Sequence, residues 1–259
     1  MSTADAALPA ADAALSAADA ALVAASLQAA RTTLLGNCGA TTSSYGTPWR
    51  RVLADAALAL EVFDADVPGD SMRVFKGVCE LPFPPRAALA ALADHAARPR
   101  WDANIAFIEA LPLGAASLLH SVTKAVGPIA ARDFVDVCVL YEVGAGGAAA
   151  PAPAGPDAWA APAGTVVSGG VGVAADARFA AGAGAAAGAV RGINGSSGWV
   201  FEPIAGGARL RCHYVIHTHL AGWLPAFVIN SSLAGNYVSF FRDLNARLSA
   251  LAAEAPAVA

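Results

Sequence analysis

The chain has 259 residues, of which 56% are hydrophobic and 14% are charged, and its formal net charge is −4. Alanine supplies much of the hydrophobic fraction, and no run of 18 residues is rich in the large aliphatic side chains of a membrane-spanning helix. Lysine occurs only at Lys76 and Lys124 and no basic cluster exists, which argues against a nucleic-acid partner. This length favours one domain with tails.

The cysteine pattern bears on redox state and location. Cys38, Cys79, Cys138 and Cys212 lie far apart and form no Cys-x-x-Cys pair, so neither a zinc ribbon nor a thioredoxin-like site is present in the sequence. We expect reduced thiols and no disulfide framework. The N-terminus lacks the basic and apolar regions of a secretory signal, so we expect a cytoplasmic protein that contacts membranes only peripherally.

An Ala-Asp-Ala-Ala-Leu repeat with a period of seven occupies residues 4–22. It places leucines on one helical stripe, but the second apolar position of each heptad is only alanine. A dimerising helix and an Ala-rich extension, partly helical or disordered, both remain open, and the second fits the composition better. We place the end of this extension at residue 48, after a Gly-, Ser- and Thr-rich loop over 36–48.

Apolar and alternating segments then predict mainly strands. The predicted strands cover residues 58–63, 72–81, 105–111, 118–122, 134–143, 165–173, 190–204 with an interruption at 194–198, and 209–220. A helix is expected to begin after Pro84 and to end near Pro99. Residues 144–164 are almost wholly Gly, Ala and Pro, which predicts a flexible insertion between two strands of one domain.

The longest helical pattern runs from Pro225 to about Ala253 and carries two neighbouring apolar stripes. One holds Phe227, Val228, Ser231, Val238 and Phe241, and the other holds Ile229, Leu233, Tyr237, Phe240, Leu244 and Leu248. Together the stripes are wider than packing on one sheet face requires. A helix that packs on a sheet and also roofs a cavity needs such a face. We therefore predict an α+β fold with this helix on one face of an antiparallel sheet.

Several short motifs follow one another between residues 49 and 250. They are Val-Pro-Gly at 67–69, Val-Phe-Lys at 74–76, Arg-Trp-Asp at 100–102, Gly-Pro-Ile-Ala-Ala-Arg-Asp-Phe-Val at 127–135, Val-Arg-Gly at 190–192, Gly-Trp-Val-Phe-Glu-Pro-Ile at 198–204 and Thr-His-Leu-Ala-Gly-Trp-Leu-Pro at 218–225. In type, order and spacing they resemble the START (StAR-related lipid-transfer) domain family. We accordingly expect a START-like domain over residues 49–253.

The resemblance implies a helix-grip fold, in which a curved antiparallel sheet wraps round the long C-terminal helix and encloses a tunnel for one lipid. It implies a monomer that binds, transfers or senses a lipid in transient contact with a membrane surface, with no catalytic residues, cofactor or metal. Two alternatives stay open. One is a cyclase- or hydratase-type enzyme on the same fold, and the other is a regulatory module that binds a ligand and then a protein partner.

The resemblance and the helical stripes together assign the residues expected to contact the lipid. They are Leu119, Arg132, Phe134, Cys138, Arg191, Trp199, Tyr214, Ile216, Thr218, Phe227, Val228, Asn230, Ser231, Val238 and Phe241. Sterol-handling family members often carry a buried carboxylate–arginine pair, and its two positions fall at Leu119 and Cys138 here. Loss of both charges predicts a more apolar tunnel, which favours a sterol or another neutral lipid over a phospholipid.

Two groups of polar residues are candidates for a metal site or for acid–base chemistry. His213, His217 and His219 alternate on one predicted strand, and adjacent side chains on one strand face lie about 6–7 Å apart, which suits zinc or copper only if the rotamers converge. No acidic residue is near them in sequence, so we prefer an exposed polar face and assign no metal. Arg132 and Asp133 are interpreted as a salt bridge or cap for the loop before the strand, in preference to an acid–base pair.

Overall fold

The computed structural model describes residues 17–39, 41–113, 116–127, 129–143, 161–173, 188–221 and 225–254. The strands are β1 Arg50–Asp55, β2 Leu60–Ala65, β3 Val74–Leu81, β4 Ile105–Leu113, β5 Ala116–Thr123, β6 Arg132–Glu142, β7 Val166–Gly172, β8 Val190–Arg191, β9 Ile193–Asn194, β10 Ser197–Ile204 and β11 Arg209–His219. The helices are α1 Ala17–Asn37, α2 Pro85–Ala93, α3 Arg98–Trp101 and α4 Ala226–Glu254.

One sheet carries the strands in the order β1-β2-β3-β11-β10-β7-β6-β5-β4, and every neighbouring pair along this path is antiparallel. The short β8 pairs in parallel with β6, and β9 pairs with β11. The predicted α+β class and antiparallel sheet are therefore confirmed. None of the helices in the described part of the chain has both the length and the apolarity to cross a membrane.

The long helix α4 packs against one face of this sheet. Its buried side chains share a core with β2, β3, β10 and β11, in which Tyr237, Phe241 and Phe201 are among the largest fully buried side chains. Gly77 of β3 faces the Tyr237 ring so closely that any Cβ at this position would collide with it. A glycine in mid-strand thus permits the close approach of the helix to the sheet.

The opposite face of the sheet is covered by α1 and the segment that follows it. Leu34 and Leu35 are buried against valines of β3, β7, β10 and β11. This burial differs from the expected loose N-terminal extension, because residues 17–37 complete the outer layer of the fold. Residues 4–16 of the heptad repeat lie outside the described residues. The domain boundary at residue 48 stays a prediction, as does the flexibility of the insertion, whose residues 144–160 are also outside them.

The three histidines of β11 lie on this covered face, and the preferred interpretation of an exposed polar face is wrong for two of them. His213 is 5% exposed and His217 is 8% exposed, whereas His219 at the strand end is half-buried. The reason is that α1 and the following segment cover this side of the sheet. The sequence pattern of β11 contains no information about that covering layer.

Two boundaries differ from those expected. Strand β1 was not predicted, because its side chains are mostly exposed and it is held by charges, with Arg50 and Arg51 paired to Asp64 and Glu61 of β2. An edge strand of this kind lacks the apolar alternation that identifies a half-buried strand. The helix expected to end near Pro99 instead ends at Ala93, and α3 follows as a separate turn.

Candidate functional site

A cavity of about 360 Å³ lies between the sheet and α4, closed at one side by α2 and α3. Its volume is within the range of sites for small organic ligands. Aliphatic and aromatic side chains form most of the wall. Eight of the fifteen residues expected to contact a lipid line it: Leu119, Arg132, Phe134, Cys138, Trp199, Tyr214, Ile216 and Thr218.

Strand alternation explains why these eight meet. Tyr214, Ile216 and Thr218 alternate along β11 and all reach the cavity, whereas Val215 between them is buried under α1. The same rule holds in β6, where Phe134 lines the cavity. The face of β11 that was expected to be apolar thus lines the cavity, and the histidines lie on the other face of the strand.

The stripe of α4 that lines the cavity differs from the stripe expected to contact the lipid. Cavity-lining residues of α4 follow one stripe at helical spacing: Ile229, Ser232, Leu233, Asn236 and Phe240. Of the stripe expected to line the tunnel, Phe241 is fully buried in the core between helix and sheet, Val238 packs against that core, and Phe227 is 74% exposed. Val228 and Asn230 also lie outside the cavity wall. The side chain of Ser231 is not among the described ones.

Arg191 is the remaining expected contact, and it faces away from the cavity. Its Nε and Nη2 donate to Asp133 Oδ2 at 2.9 and 2.7 Å, and Asp133 is fully buried. Arg132 instead donates to backbone oxygens of Leu220, of Ala221 and of Ala130. The two neighbours therefore do not pair with each other. Arg132 holds the segment that follows β11, and Asp133 holds Arg191 of β8, so both have structural partners, but not each other.

A buried carboxylate in the cavity was missed. Asp136 of β6 lies opposite Leu119 of β5 in the antiparallel register and lines the cavity. Its Oδ2 accepts a hydrogen bond of 3.0 Å from Asn194 Nδ2, and its buried Oδ1 has no hydrogen-bond partner among the described residues. Burial raises the pKa of Asp136 to about 6. The sequence predicted a more apolar tunnel after loss of the ion pair at Leu119 and Cys138, and it did not predict this buried carboxylate in the wall.

The sequence did contain a signal for this residue. Phe134, Asp136 and Cys138 occupy alternate positions of one strand, and the first and third were both assigned to the tunnel. Period-two alternation then places Asp136 on the same face. Asp136 lies opposite Leu119 in the sheet and two residues before Cys138, so it is next to both positions at which the family's ion pair is lost.

A second polar group in the cavity wall is an ion pair enclosed by aromatic rings. Arg98 of α3 binds Asp102 through Nε and Nη2, both at 3.1 Å, and both side chains are buried. The guanidinium carbon lies 5.0 Å from the ring centre of Trp199, 5.9 Å from that of Phe240 and 5.7 Å from that of Trp101. The rings thus already surround a cation.

The comparisons with known proteins agree with this architecture. The START domain family model matches residues 180–254. Human StAR-related lipid transfer protein 5 aligns with a TM-score of 0.64 and 18% identity over 78% of this chain and 87% of that chain. A STAR-related lipid transfer protein from Xanthomonas axonopodis gives 0.59 and 18% over 78% and 98%.

The lipid transfer and protein localization domain of human StarD13 gives a TM-score of 0.56 and 17% identity, over 76% of this chain and 88% of that chain. No curated protein sequence matches the chain. The helix-grip fold and the resemblance to START domains are thereby confirmed.

Proposed function

We propose that the protein binds one neutral lipid in the cavity beneath α4 and carries or senses it without converting it. The observation that carries this proposal is the combination of a mostly apolar cavity with a buried carboxylate oxygen, Asp136 Oδ1, that has no hydrogen-bond partner among the described residues; the Thr218 hydroxyl in the same wall is a second such group. Enclosing apolar ligand surface is worth roughly 25 cal/mol per Å². A lipid hydroxyl that donates to Asp136 Oδ1 would satisfy an oxygen that burial leaves without a partner.

The charges around the cavity favour a neutral head group over a phosphate. Arg98 and Arg132 both line the wall, but Asp102 and three backbone carbonyls already use their donors. Lys124, which also borders the cavity, is exposed at its edge. A phosphate placed near Asp136 would meet a second anion when that carboxyl is ionised, and no free buried cation among these three would compensate it.

The aromatic wall gives an independent argument against a phosphocholine head. A quaternary ammonium group binds over aromatic faces, and Trp199 with Tyr214 could supply them. Trp199 stacks on Tyr214 with ring centres 5.0 Å apart, and the guanidinium carbon of Arg98 also lies 5.0 Å from the Trp199 ring centre. The choline cation would therefore have to displace an arginine that is bound to its own carboxylate, which costs more than entering an empty cage.

Lipid exchange requires brief contact with a membrane. Phe227, the second residue of α4, projects a large apolar side chain that is 74% exposed. A side chain of this kind at the start of the roof helix suits insertion between lipid head groups while the roof opens. We propose that the chain does this as a monomer, from the cytoplasm, through a peripheral and reversible contact.

Competition measures the ligand class. A fluorescent sterol bound to the purified full chain is displaced by unlabelled sterol, diacylglycerol or phosphatidylcholine at equal concentration. Sterol and diacylglycerol should displace it at concentrations at least about tenfold lower than phosphatidylcholine does. Stronger displacement by phosphatidylcholine would contradict the proposed head-group preference.

Two variants separate the carboxylate from the cavity around it. Asp136→Asn keeps an acceptor and should retain most of the sterol affinity. Asp136→Leu removes the acceptor and should lower it about tenfold, the worth of one buried hydrogen bond. Equal affinities in both variants would show that Asp136 does not hold the ligand, even if the cavity does.

One observation keeps an enzymatic alternative open. A buried carboxyl whose pKa is raised to about 6 can deliver or accept a proton near neutral pH, as a cyclase or hydratase acting on an apolar molecule would need. Such an enzyme releases a product with an altered mass, and Asp136→Asn would abolish that product while the substrate still binds. A carrier returns its lipid unchanged in both proteins.

A further inference from the structure

On the outer face of the sheet, away from the cavity, two histidines and a carboxylate converge. His217 Nε2 lies 3.2 Å and His219 Nε2 lies 2.8 Å from the same oxygen, Asp70 Oδ2. Each of the three side chains has an atom that could ligate a metal, and these atoms all lie within 4.8 Å of one another. His217 and His219 come from alternate positions of β11, and Asp70 comes from the turn between β2 and β3. Asp70 and His217 are 147 positions apart in the sequence, and they come together because β3 pairs with β11.

We propose that Asp70, His217 and His219 form a binding site for one divalent transition-metal ion of the kind that prefers imidazole, with Zn²⁺ as its representative. Two imidazole nitrogens and one carboxylate oxygen are a ligand set that such ions accept. Ligand atoms around a tetrahedral zinc with bonds of 2.0–2.1 Å lie about 3.3 Å apart. The 3.2 and 2.8 Å separations are close to this spacing, so small side-chain rotations suffice to admit the ion.

The carboxylate ligand is fixed by its turn. Val67-Pro68-Gly69-Asp70 closes with a hydrogen bond of 3.0 Å from the Asp70 N–H to the Val67 oxygen, and Gly69 adopts a φ of 79° that favours glycine. Asp70 Oδ1 accepts a further bond of 2.9 Å from the backbone N–H of Met72. These contacts hold one oxygen in the loop and direct the other, Oδ2, to the histidines.

The His217 ring is also held from outside the ligand set. Its Nδ1 lies 3.2 Å from Tyr45 Oη, while a Cβ at Gly195 would lie 2.6 Å from the same nitrogen, so glycine leaves the ring its space. A phenol hydroxyl can accept as well as donate, so Tyr45 can hold the proton-bearing Nδ1 and leave the Nε2 lone pair for the metal. A second partner of this kind orients most metal-binding histidines.

The site has an open side. The side chain of His219 is 44% exposed and that of Asp70 is 19% exposed, whereas that of His217 is only 10% exposed. The ion can therefore enter from solvent and complete its coordination with water. When bound, it would join the β2–β3 turn to the end of β11, just before the chain passes to α4.

Titration of the whole chain tests the proposal. The protein, free of any histidine tag and stripped with a chelator, is titrated with Zn²⁺ in a calorimeter and with Co²⁺ by visible absorption. We expect one ion per chain and a Co²⁺ spectrum of low coordination number. His219→Ala and Asp70→Asn should each weaken binding at least tenfold, and Tyr45→Phe should weaken it about tenfold as a positioning residue.

Glu109→Gln is the control, because it removes an exposed carboxylate on β4, at the opposite edge of the sheet from the β2–β3 turn and outside the cavity wall. It should leave the zinc affinity unchanged. His219 is exposed enough that its variant should fold, which thermal unfolding by circular dichroism checks. Absence of saturable binding by the parent protein would overturn the proposal, as would equal affinities of the parent, His219→Ala and Asp70→Asn.

Discussion

Asp136 couples the chemistry of the cavity to the stability of the empty protein. Its pKa is about 6 in the folded chain, because burial disfavours the charged form, and about 3.9 in an unfolded one. The folded state therefore binds more protons than the unfolded state between these values. The contribution of Asp136 to the free energy of unfolding is therefore highest below pH 4, where the carboxyl is protonated in both states. It falls by about 3 kcal/mol in all as the pH rises to 6 and the carboxyl of the unfolded chain ionises first.

Replacing Asp136 with Asn removes this titration and keeps the shape of the side chain. We expect the free energy of unfolding of Asp136→Asn, relative to the parent, to rise between pH 4 and pH 7 by up to about 3 kcal/mol. Urea unfolding of the two ligand-free proteins at both pH values measures the difference. A relative stability that does not change with pH would mean that the carboxyl is well solvated and not buried.

Among single residues, strand positions were predictable from sequence and partners were not. Alternation placed Tyr214, Ile216 and Thr218 in the cavity because period two fixes the face of a strand. Whether Arg191 would meet a lipid or Asp133 depends on two strands that come together from 58 positions apart. No local pattern records such a pairing.

At the scale of elements, α4 carries both the core and the roof of the cavity. Ser232 lines the cavity and its hydroxyl donates to the Val228 oxygen four residues earlier, at 2.8 Å. Ser249 on the exposed part of the same helix makes the same kind of bond to Asn245, also at 2.8 Å. The two serines therefore offer a matched pair for filling the cavity.

Ser232→Trp should fill much of the cavity and lower the affinity for a fluorescent sterol at least tenfold, because the ligand and the indole need the same space. Ser249→Trp should leave the affinity as it is in the parent. Fluorescence titration of both variants gives the comparison. Equal binding by Ser232→Trp and Ser249→Trp would show that the lipid does not occupy the space below this helix face.

Helix α1 gives the second prediction at this scale. Leu34 is 1% exposed and packs with Val74, Val167, Val200 and Val215 on the outer face of the sheet. Leu34→Ala should therefore lower the free energy of unfolding by about 2–5 kcal/mol through lost burial and the cavity left behind. Chemical denaturation measures it. A change below about 0.5 kcal/mol, as at an exposed site, would mean that α1 is not part of the fold.

Helices and strands with a strong apolar periodicity were predictable from the sequence, and those with a weak one were not. Helix α4 and most strands have strong patterns and lie close to where the sequence placed them. The rotation of α4 was not predictable, because two adjacent stripes are both apolar and only packing against Gly77 and the sheet decides between them. Polar β1 and the Ala-rich α1 lack the contrast between faces on which such predictions depend.

For the whole molecule, the fold could be predicted from sequence motifs, whereas the ligand class depends on the partners of buried charges. The motifs between residues 49 and 250 predicted the helix-grip fold, because in type, order and spacing they resemble those of a family with that fold. Ligand class depends on which buried charges already have partners. Arg98 and Asp102 pair at i,i+4 spacing, but their burial in the cavity wall and the contact of Asp136 with Asn194 arise only from packing.

One neutral lipid is proposed to occupy the cavity and to leave it unchanged. The full chain is incubated with vesicles that contain equal amounts of sterol, diacylglycerol and phosphatidylcholine, re-isolated, and analysed by mass spectrometry for lipid identity and amount. We expect one lipid per chain, neutral and of unaltered mass. A protein that returns without lipid, with mainly phosphatidylcholine, or with a lipid of changed mass would contradict it.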